Sequence, residues 1–279
     1  MTTGEFLQHA TRQLQAAGIG TARLDVLVLL EDTLNTNRVH ILANPDLLIS
    51  KRQLEKLQKL LARRAQHEPL AYIRNKTEFY ARNFFVDARV LEPRAESETM
   101  IDLLKRTSPR NQSNPSIIDI GTGSGALAIT AKLEIPSADV YAVDIDKKCL
   151  AVARKNAEQL SAQITFAKSD LLTKIPKEAV DRSALLCNLP YVPDNFQINR
   201  AASHEPDIAI FGGGDGLDLY RKLFAQLHTR NLVPRYVLTE ALPPQHKVLA
   251  RVAERSGFVL DQAEDFIQVF KIASARLGS

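Results

Sequence analysis

The strongest constraint on the fold is a change of period at Pro93. Beyond it, apolar runs of strand length alternate with stretches of helical spacing: 116–120 then 126–133, 140–143 then 147–160, and 164–167, 184–187, 217–227 and 236–239 after them. A short apolar run fits a strand buried on both faces, and a longer stretch with apolar residues three and four apart fits a helix laid over it. Repeats of this unit build a parallel sheet with right-handed crossovers and helices on both faces. The end of the chain breaks the pattern: 258–260 and 266–272 read as two strands joined across the polar stretch 261–265, with no helix between them. Residues 93–279 are therefore expected to form an α/β domain, a doubly wound, mostly parallel seven-stranded sheet closed by a C-terminal antiparallel hairpin.

Before Pro93 the period is that of helices. Leu24, Leu27 and Leu30, then Leu54, Leu57 and Leu61, recur at helical spacing, with loop signals at Gly18-Ile19-Gly20 and Asn44-Pro45. Residues 1–74 are expected to be a small all-helical domain. Between 77 and 90, Phe79, Tyr80, Phe84, Phe85 and Val86 surround Arg82-Asn83, the pattern of a β-hairpin, so 75–92 is expected to be a hairpin linker. A chain of 279 residues has room for this arrangement, and 45% apolar with 24% charged residues excludes a disordered or fibrous protein.

Residues 1–10 carry Glu5 and lack an apolar targeting core, and no stretch reaches the roughly 18 uncharged apolar residues of a membrane span, so a cytoplasmic location without a membrane partner is expected. Cys149 and Cys187 have neither metal-ligand nor disulfide spacing and are expected to be small buried hydrophobes, with no metal site. The formal charge of +4 is mildly basic. Eight Lys or Arg residues fall between Lys51 and Lys76 against Glu55 and Glu68, a run read as a solvated helix face more readily than as a binding patch.

The strongest local motif is Asp119-Ile120-Gly121-Thr122-Gly123-Ser124-Gly125, between the first predicted strand of the sheet and its helix. Glycines there let the backbone turn tightly and approach a ligand closely. Asp144 ends the next strand, 19 residues after Gly125, where a carboxylate can accept both hydroxyls of an adenosine ribose. Gly121, Gly123 and Ala126 also satisfy the dinucleotide pattern, so a nicotinamide enzyme has to be weighed. Asp119 within the strand, the third glycine at alternate spacing, and the motif after the fourth strand favour S-adenosylmethionine. Ser169-Asp170-Leu171, after the third strand, should flank the adenine, with Asp170 able to accept from its amino group or else simply opening a turn.

That later motif is Asn188-Leu189-Pro190-Tyr191, at the carboxyl end of the fourth strand where the cofactor loops gather. Methyl transfer from a sulfonium to a planar nitrogen requires a delocalised lone pair to be held in line with the methyl–sulfur bond. Asn188 Oδ1 and the Leu189 carbonyl can accept the two N–H bonds of an amide or amino group, and Tyr191 can pack on its flat face. No cysteine, histidine or metal is needed. On these residues alone glutamine, adenine and cytosine remain open.

The whole chain resembles the HemK/PrmC-type glutamine methyltransferases of peptide chain release factors. The resemblance rests on Ala22-Arg23-Leu24-Asp25, Glu68-Pro69-Leu70-Ala71-Tyr72-Ile73, Glu78-Phe79-Tyr80, Leu91-Glu92-Pro93-Arg94-Ala95-Glu96-Ser97-Glu98, the glycine loop, and Glu205-Pro206 followed by Gly212-Gly213-Gly214-Asp215-Gly216-Leu217-Asp218-Leu219-Tyr220-Arg221. It implies a class I S-adenosylmethionine-dependent methyltransferase fold behind a helical domain that docks the release factor, acting on the glutamine of that factor's Gly-Gly-Gln loop. Carried over residue by residue, it implies cofactor binding by Gly121, Thr122, Gly123, Ser124, Gly125, Asp144, Leu171 and Asn188, to which Asp170 is added above. It implies a substrate site at Asn188, Leu189, Pro190 and Tyr191. A monomer without a stable nucleic-acid partner is expected.

One position departs from that family. Its motif is Asn-Pro-Pro-Tyr, and Leu189 replaces the first proline, keeping the carbonyl while adding an N–H and freeing φ. Asn-Leu-Pro-Tyr is also similar to the motif of ribosomal RNA adenine dimethyltransferases. Two alternatives therefore stand beside the first reading: an N-methyltransferase of exocyclic amino groups in RNA or DNA, and a cofactor-binding accessory protein without turnover. Arg94 and Glu96 are read as family loop residues near the site or as an ordinary ion pair, and His204 as a loop residue.

Overall fold

The computed structural model describes residues 1–107 and 115–273; residues 108–114 and 274–279, which the sequence assigns to the α/β domain, lie outside the described residues. The chain divides into two compact units, Met1–Lys76 with Ile198–His204, and Thr77–Gln197 with Glu205–Ser279.

The first unit is helical. Thr2 and Glu5 form a capping box that starts α1 (Thr3–Ala16), and Ser50 with Gln53 forms another that starts α4 (Lys51–Ala65), each satisfying backbone N–H groups a helix start leaves unpaired. Between them lie α2 (Ala22–Leu34) and α3 (Arg38–Ala43), and α5 (Leu70–Arg74) follows. Phe6, Leu14, Val26, Leu30, Leu57 and Leu61 meet in its core. Three residues of the basic run are paired within the unit: Arg64 with the buried Asp25 at 2.7 Å, Arg63 with Glu68, and Arg74 with Asp32. Lys51, Arg52, Lys56 and Lys59 are exposed on α4.

The second unit opens with β1 (Thr77–Phe79) and β2 (Arg82–Phe84), an antiparallel hairpin. Its turn is not where the sequence centred it. Arg82-Asn83 lie within β2, and Tyr80-Ala81 make the turn, both left-handed at φ 51° and 56°. That turn twists as the strands do, and Tyr80 is held in it by Glu98, which accepts from its backbone N–H at 2.6 Å, and by Asp102, which accepts from its hydroxyl at 2.7 Å. Phe79 and Phe84 meet edge to face and are buried in the core beside the main sheet, so the hairpin is packed into this unit.

The main elements are α6 (Glu98–Thr107), β3 (Ser116–Ile120), α7 (Ala126–Glu134), β4 (Asp139–Asp144), α8 (Lys147–Gln159), β5 (Thr165–Lys168), α9 (Lys177–Val180), β6 (Ala184–Cys187), α10 (Asp218–Thr229), β7 (Tyr236–Glu240), α11 (His246–Arg255), β8 (Phe258–Glu264) and β9 (Ile267–Ile272). Their strand order is β5-β4-β3-β6-β7-β9-β8, parallel except for the antiparallel β9 and β8. This is the expected doubly wound sheet with its C-terminal hairpin. Helices α6 and α11 were not foreseen, although each buries an apolar stripe, Met100, Ile101, Leu103 and Leu104 in the first case. The polar stretch 261–265 is a further correction. All but Asp265 of it belongs to β8, with a register shift between Leu260 and Gln262, because an edge strand can leave polar side chains in water. The order reverses between β3 and β6, and an open α/β sheet binds its ligand at such a switch, beyond the carboxyl ends of the strands.

Candidate active site

Two loops meet at that switch: 121–125 after β3, and 188–191 after β6. Gly121 and Thr122 donate their backbone N–H groups to the Val143 carbonyl, tying the first loop to β4. Asp119, buried at the end of β3, accepts from the Thr122 hydroxyl at 2.6 Å and from the Ala128 N–H at 3.1 Å, which pins the loop to the first turn of α7. Burial pushes the Asp119 carboxyl up to about 7 against those two hydrogen bonds, and the nearby Asp144 adds to the rise. Asp144 accepts from the Gly123 N–H through Oδ2 at 3.0 Å and from the Asp146 N–H through Oδ1 at 2.9 Å. Its carboxyl is also raised, by burial first.

A single cavity is lined by Gly121, Thr122, Gly123, Ser124, Asp144, Asp170, Leu171, Asn188, Leu189 and Pro190, ten of the residues singled out by sequence. Two others stand apart from its wall. Gly125 starts α7, and a Cβ on it would press on Ile129 and Ala153, so it sets how closely α7 and α8 approach. Tyr191 is largely buried, and its hydroxyl donates to Glu240 Oε1 at 3.1 Å. Asp170 reaches the cavity while paired with Lys222 at 2.5 Å, and its carbonyl accepts from Thr173, a turn as well as a wall. Leu91, Leu127, Ile145, Ile208 and Leu219 supply apolar surface.

The 188–191 loop is anchored by hydrogen bonds at Asn188, Leu189 and Tyr191. Asn188 Nδ2 donates to Ser97 Oγ at 2.9 Å. The N–H that Leu189 has in place of a proline ring donates to the Tyr220 hydroxyl at 3.3 Å, and the Leu189 side chain is buried against Gly121. The Tyr191 carbonyl accepts from Gln245 Nε2 at 2.8 Å. Val192 continues the loop as a bridge to Phe211. That bridge brings Gly212 and Gly216 against the loop backbone: a Cβ on Gly212 would overlap the Pro190 carbonyl, and one on Gly216, at φ 81°, the Tyr191 carbonyl. The Gly-Gly-Gly-Asp-Gly stretch thus backs the 188–191 loop.

Ser97, Tyr220, Glu240 and Gln245 are supporting residues that sequence reading missed. Their only sequence signal was that Ser97 and Tyr220 fall inside quoted motif blocks. Arg94 pairs with the buried Glu205 at 2.6 Å rather than with Glu96, a contact bringing two blocks 111 residues apart in sequence together. His204 Nε2 bonds the Gln66 carbonyl at 3.1 Å in the helical unit. Cys187 is buried as expected, but Cys149 is only half-buried: it lines the cavity beside Asp144 and Asp146, and burial with those carboxylates pushes its thiol up to about 12. Among the described residues no three His, Cys, Asp or Glu side chains are grouped to hold a metal ion, and no helix is long and apolar enough to cross a membrane.

The fold and this site define a class I S-adenosylmethionine-dependent methyltransferase. Residues 5–74 match the PrmC N-terminal domain and residues 96–205 the methyltransferase small domain. The chain is 35% identical over 232 residues to a release factor glutamine methyltransferase of Koribacter versatilis, covering 81% of each chain. It is 32% identical to that of Deinococcus radiodurans, covering 99% of each. The hMettl16 catalytic domain, at 15% identity and a TM-score of 0.51 over 81% of this chain and 83% of that one, shares the fold. The chain belongs to the release factor glutamine methyltransferase family.

Proposed function

We propose that this protein transfers a methyl group from S-adenosylmethionine to the side-chain amide nitrogen of the glutamine in the Gly-Gly-Gln motif of peptide chain release factors, leaving S-adenosylhomocysteine. The observation that carries the reading beyond family membership is the setting of Asn188. Its Nδ2 is engaged by Ser97, which leaves Oδ1 as the acceptor, in the wall of the cavity that also holds the Asp144 carboxylate.

The cavity fits the cofactor. Asp144 Oδ2 and Oδ1 accept the Gly123 and Asp146 N–H groups, and an ionised carboxylate has about four acceptor positions, so its two oxygens can also take the hydroxyls of a ribose. Gly121, Thr122, Gly123, Ser124 and Gly125 give a backbone that a ligand can approach closely. Leu171 and Ile145 offer apolar faces for an adenine, and Asp170 retains Oδ1 for its amino group while Oδ2 holds Lys222. The bound cofactor supplies an electrophilic methyl on a sulfonium. The chain supplies the rest: Asn188 Oδ1 and the Leu189 carbonyl accept the two amide N–H groups, Pro190 and Tyr191 complete the loop that holds them, and charge developing on the nitrogen is stabilised by those acceptors. The helical unit docks the release factor. The reaction is cytoplasmic, by a monomer, with no stable nucleic-acid partner.

The test is transfer of labelled methyl from S-adenosylmethionine to a purified release factor, beside its Gly-Gly-Gln→Gly-Gly-Ala variant and total RNA. Label on the intact factor alone supports the reading. Label on RNA overturns the substrate and makes Asn-Leu-Pro-Tyr decisive, and normal cofactor binding without transfer marks an accessory protein.

A further inference from the structure

Glu240 is the last residue of β7, and the register that pairs Cys187 with Thr239 sets it beside Asn188. It is 1% exposed, an expensive place for a carboxylate unless something uses it. The Tyr191 hydroxyl donates to its Oε1, while Oε2 is buried with no donor in hydrogen-bonding geometry among the described residues. Burial raises its carboxyl, and the neighbouring Ser97, Tyr191 and Asn188, all groups able to donate, pull it back down.

The demand on this corner is directional. The substrate amide brings N–H groups, so Asn188 must present Oδ1 and keep Nδ2 away. Ser97 alone cannot enforce this, because a hydroxyl serves equally as donor to Oδ1 or acceptor from Nδ2. An ionised carboxylate only accepts. A Ser97 hydroxyl turned toward the unpartnered Glu240 Oε2 leaves its Oγ only to accept, so Nδ2 turns to it at the observed 2.9 Å and Oδ1 is left for the substrate. The flipped amide would set Oδ1 against the buried carboxylate.

We propose that Glu240 is a positioning residue that, acting through Ser97 and Tyr191, fixes the orientation of the Asn188 amide and of the loop that holds the nitrogen to be methylated. The proposal rests on the methyl-transfer reading above and adds the group that gives the site its direction.

Glu240→Gln tests it, since an amide of the same size can donate or accept and so erases the direction. The expected result is a kcat at least ten-fold lower, with cofactor Kd and release-factor KM within about three-fold of the wild type. Ser97→Ala should give a similar kcat loss, and Glu240→Gln with Ser97→Ala should be no slower than the worse single variant, because both act through one amide. Wild-type turnover in either single variant, or losses that multiply in the double, would overturn the proposal. If Glu240→Gln does not fold, judged by cofactor binding, Ser97→Ala decides alone. A wild-type protein that labels RNA instead of the factor overturns the substrate and not this inference, since an exocyclic amino group makes the same demand on Oδ1 and the same variants are then read on RNA. No transfer to either overturns both.

Discussion

Leu189 shows how one substitution is absorbed. A leucine at a proline position brings a buried N–H that needs an acceptor, and Tyr220 provides it, while the side chain fills space beside Gly121. Tyr220→Phe should therefore destabilise the protein by about 1–3 kcal/mol through stranded buried partners, read by denaturant unfolding. In a Leu189→Pro background part of that cost should vanish, because there is no N–H left to strand; an unchanged cost would show that Tyr220 matters only through the carbonyls of Cys187 and Glu240. At the same scale, Asn188→Ala should abolish turnover while leaving cofactor affinity within a few-fold, and full activity would remove the amide clamp. Asp144→Ala should weaken cofactor binding by ~1–3 kcal/mol for two lost hydroxyl contacts. Calorimetry showing unchanged affinity would remove its ribose role.

At the scale of elements, the segment from Gly212 to Gly216 works as a backing strip for residues 190–192. The Val192 N–H donates to the Ile210 carbonyl and the Val192 carbonyl accepts from the Gly212 N–H, and Gln245 ties the Tyr191 and Asp215 carbonyls together. Gly216→Ala meets both a left-handed φ and the Tyr191 carbonyl, so kcat should fall at least ten-fold while Asp144-dependent cofactor binding survives. Equal kcat in that variant, measured on a release factor, would mean the strip is only a connector. The motif itself was legible as sequence, but its task was not, since the backbone it supports is more than 20 residues away in the chain.

For the whole molecule, buried and exposed carboxylates pull stability in opposite directions with pH. Asp119, raised to about 7 from an ordinary value of 3.8, binds a proton more tightly when folded, so its contribution is present in full below about 3.8 and is lost as pH rises toward 7. Asp144, Glu205 and Glu240 shift the same way. Glu68, Asp87, Glu134 and Asp215, lowered chiefly by hydrogen bonds from arginine or lysine, contribute stability above their unfolded pKa that is lost as pH falls through their folded values. Stability of the cofactor-free protein should therefore peak in weak acid and fall by a few kcal/mol toward pH 8, and Asp119→Asn should flatten that fall. A flat profile in the unsubstituted protein would show that Asp119 is relieved by solvent or by rearrangement of the loop.

Period and local chemistry, which act over a few residues, were enough to determine the two kinds of domain, the seven strands with their antiparallel end, the glycine loop and the Asn-Leu-Pro-Tyr motif. Such features are written in neighbouring residues: apolar spacing, glycines where the backbone must turn, a carboxylate at a strand end. Only the tertiary structure decided what surrounds them. Ser97, Glu240, Tyr220 and Gln245 reach Asn188, Leu189 and Tyr191 from elements separated by dozens of residues, and Arg94 meets Glu205 across 111. The same is true of the Tyr80-Ala81 turn, held by Glu98 and Asp102 at two residues that are not turn formers, beside the Asn83 that the local sequence offers. Buried polar groups must find partners wherever the packed sheet brings them, and one-dimensional order carries no record of which those will be.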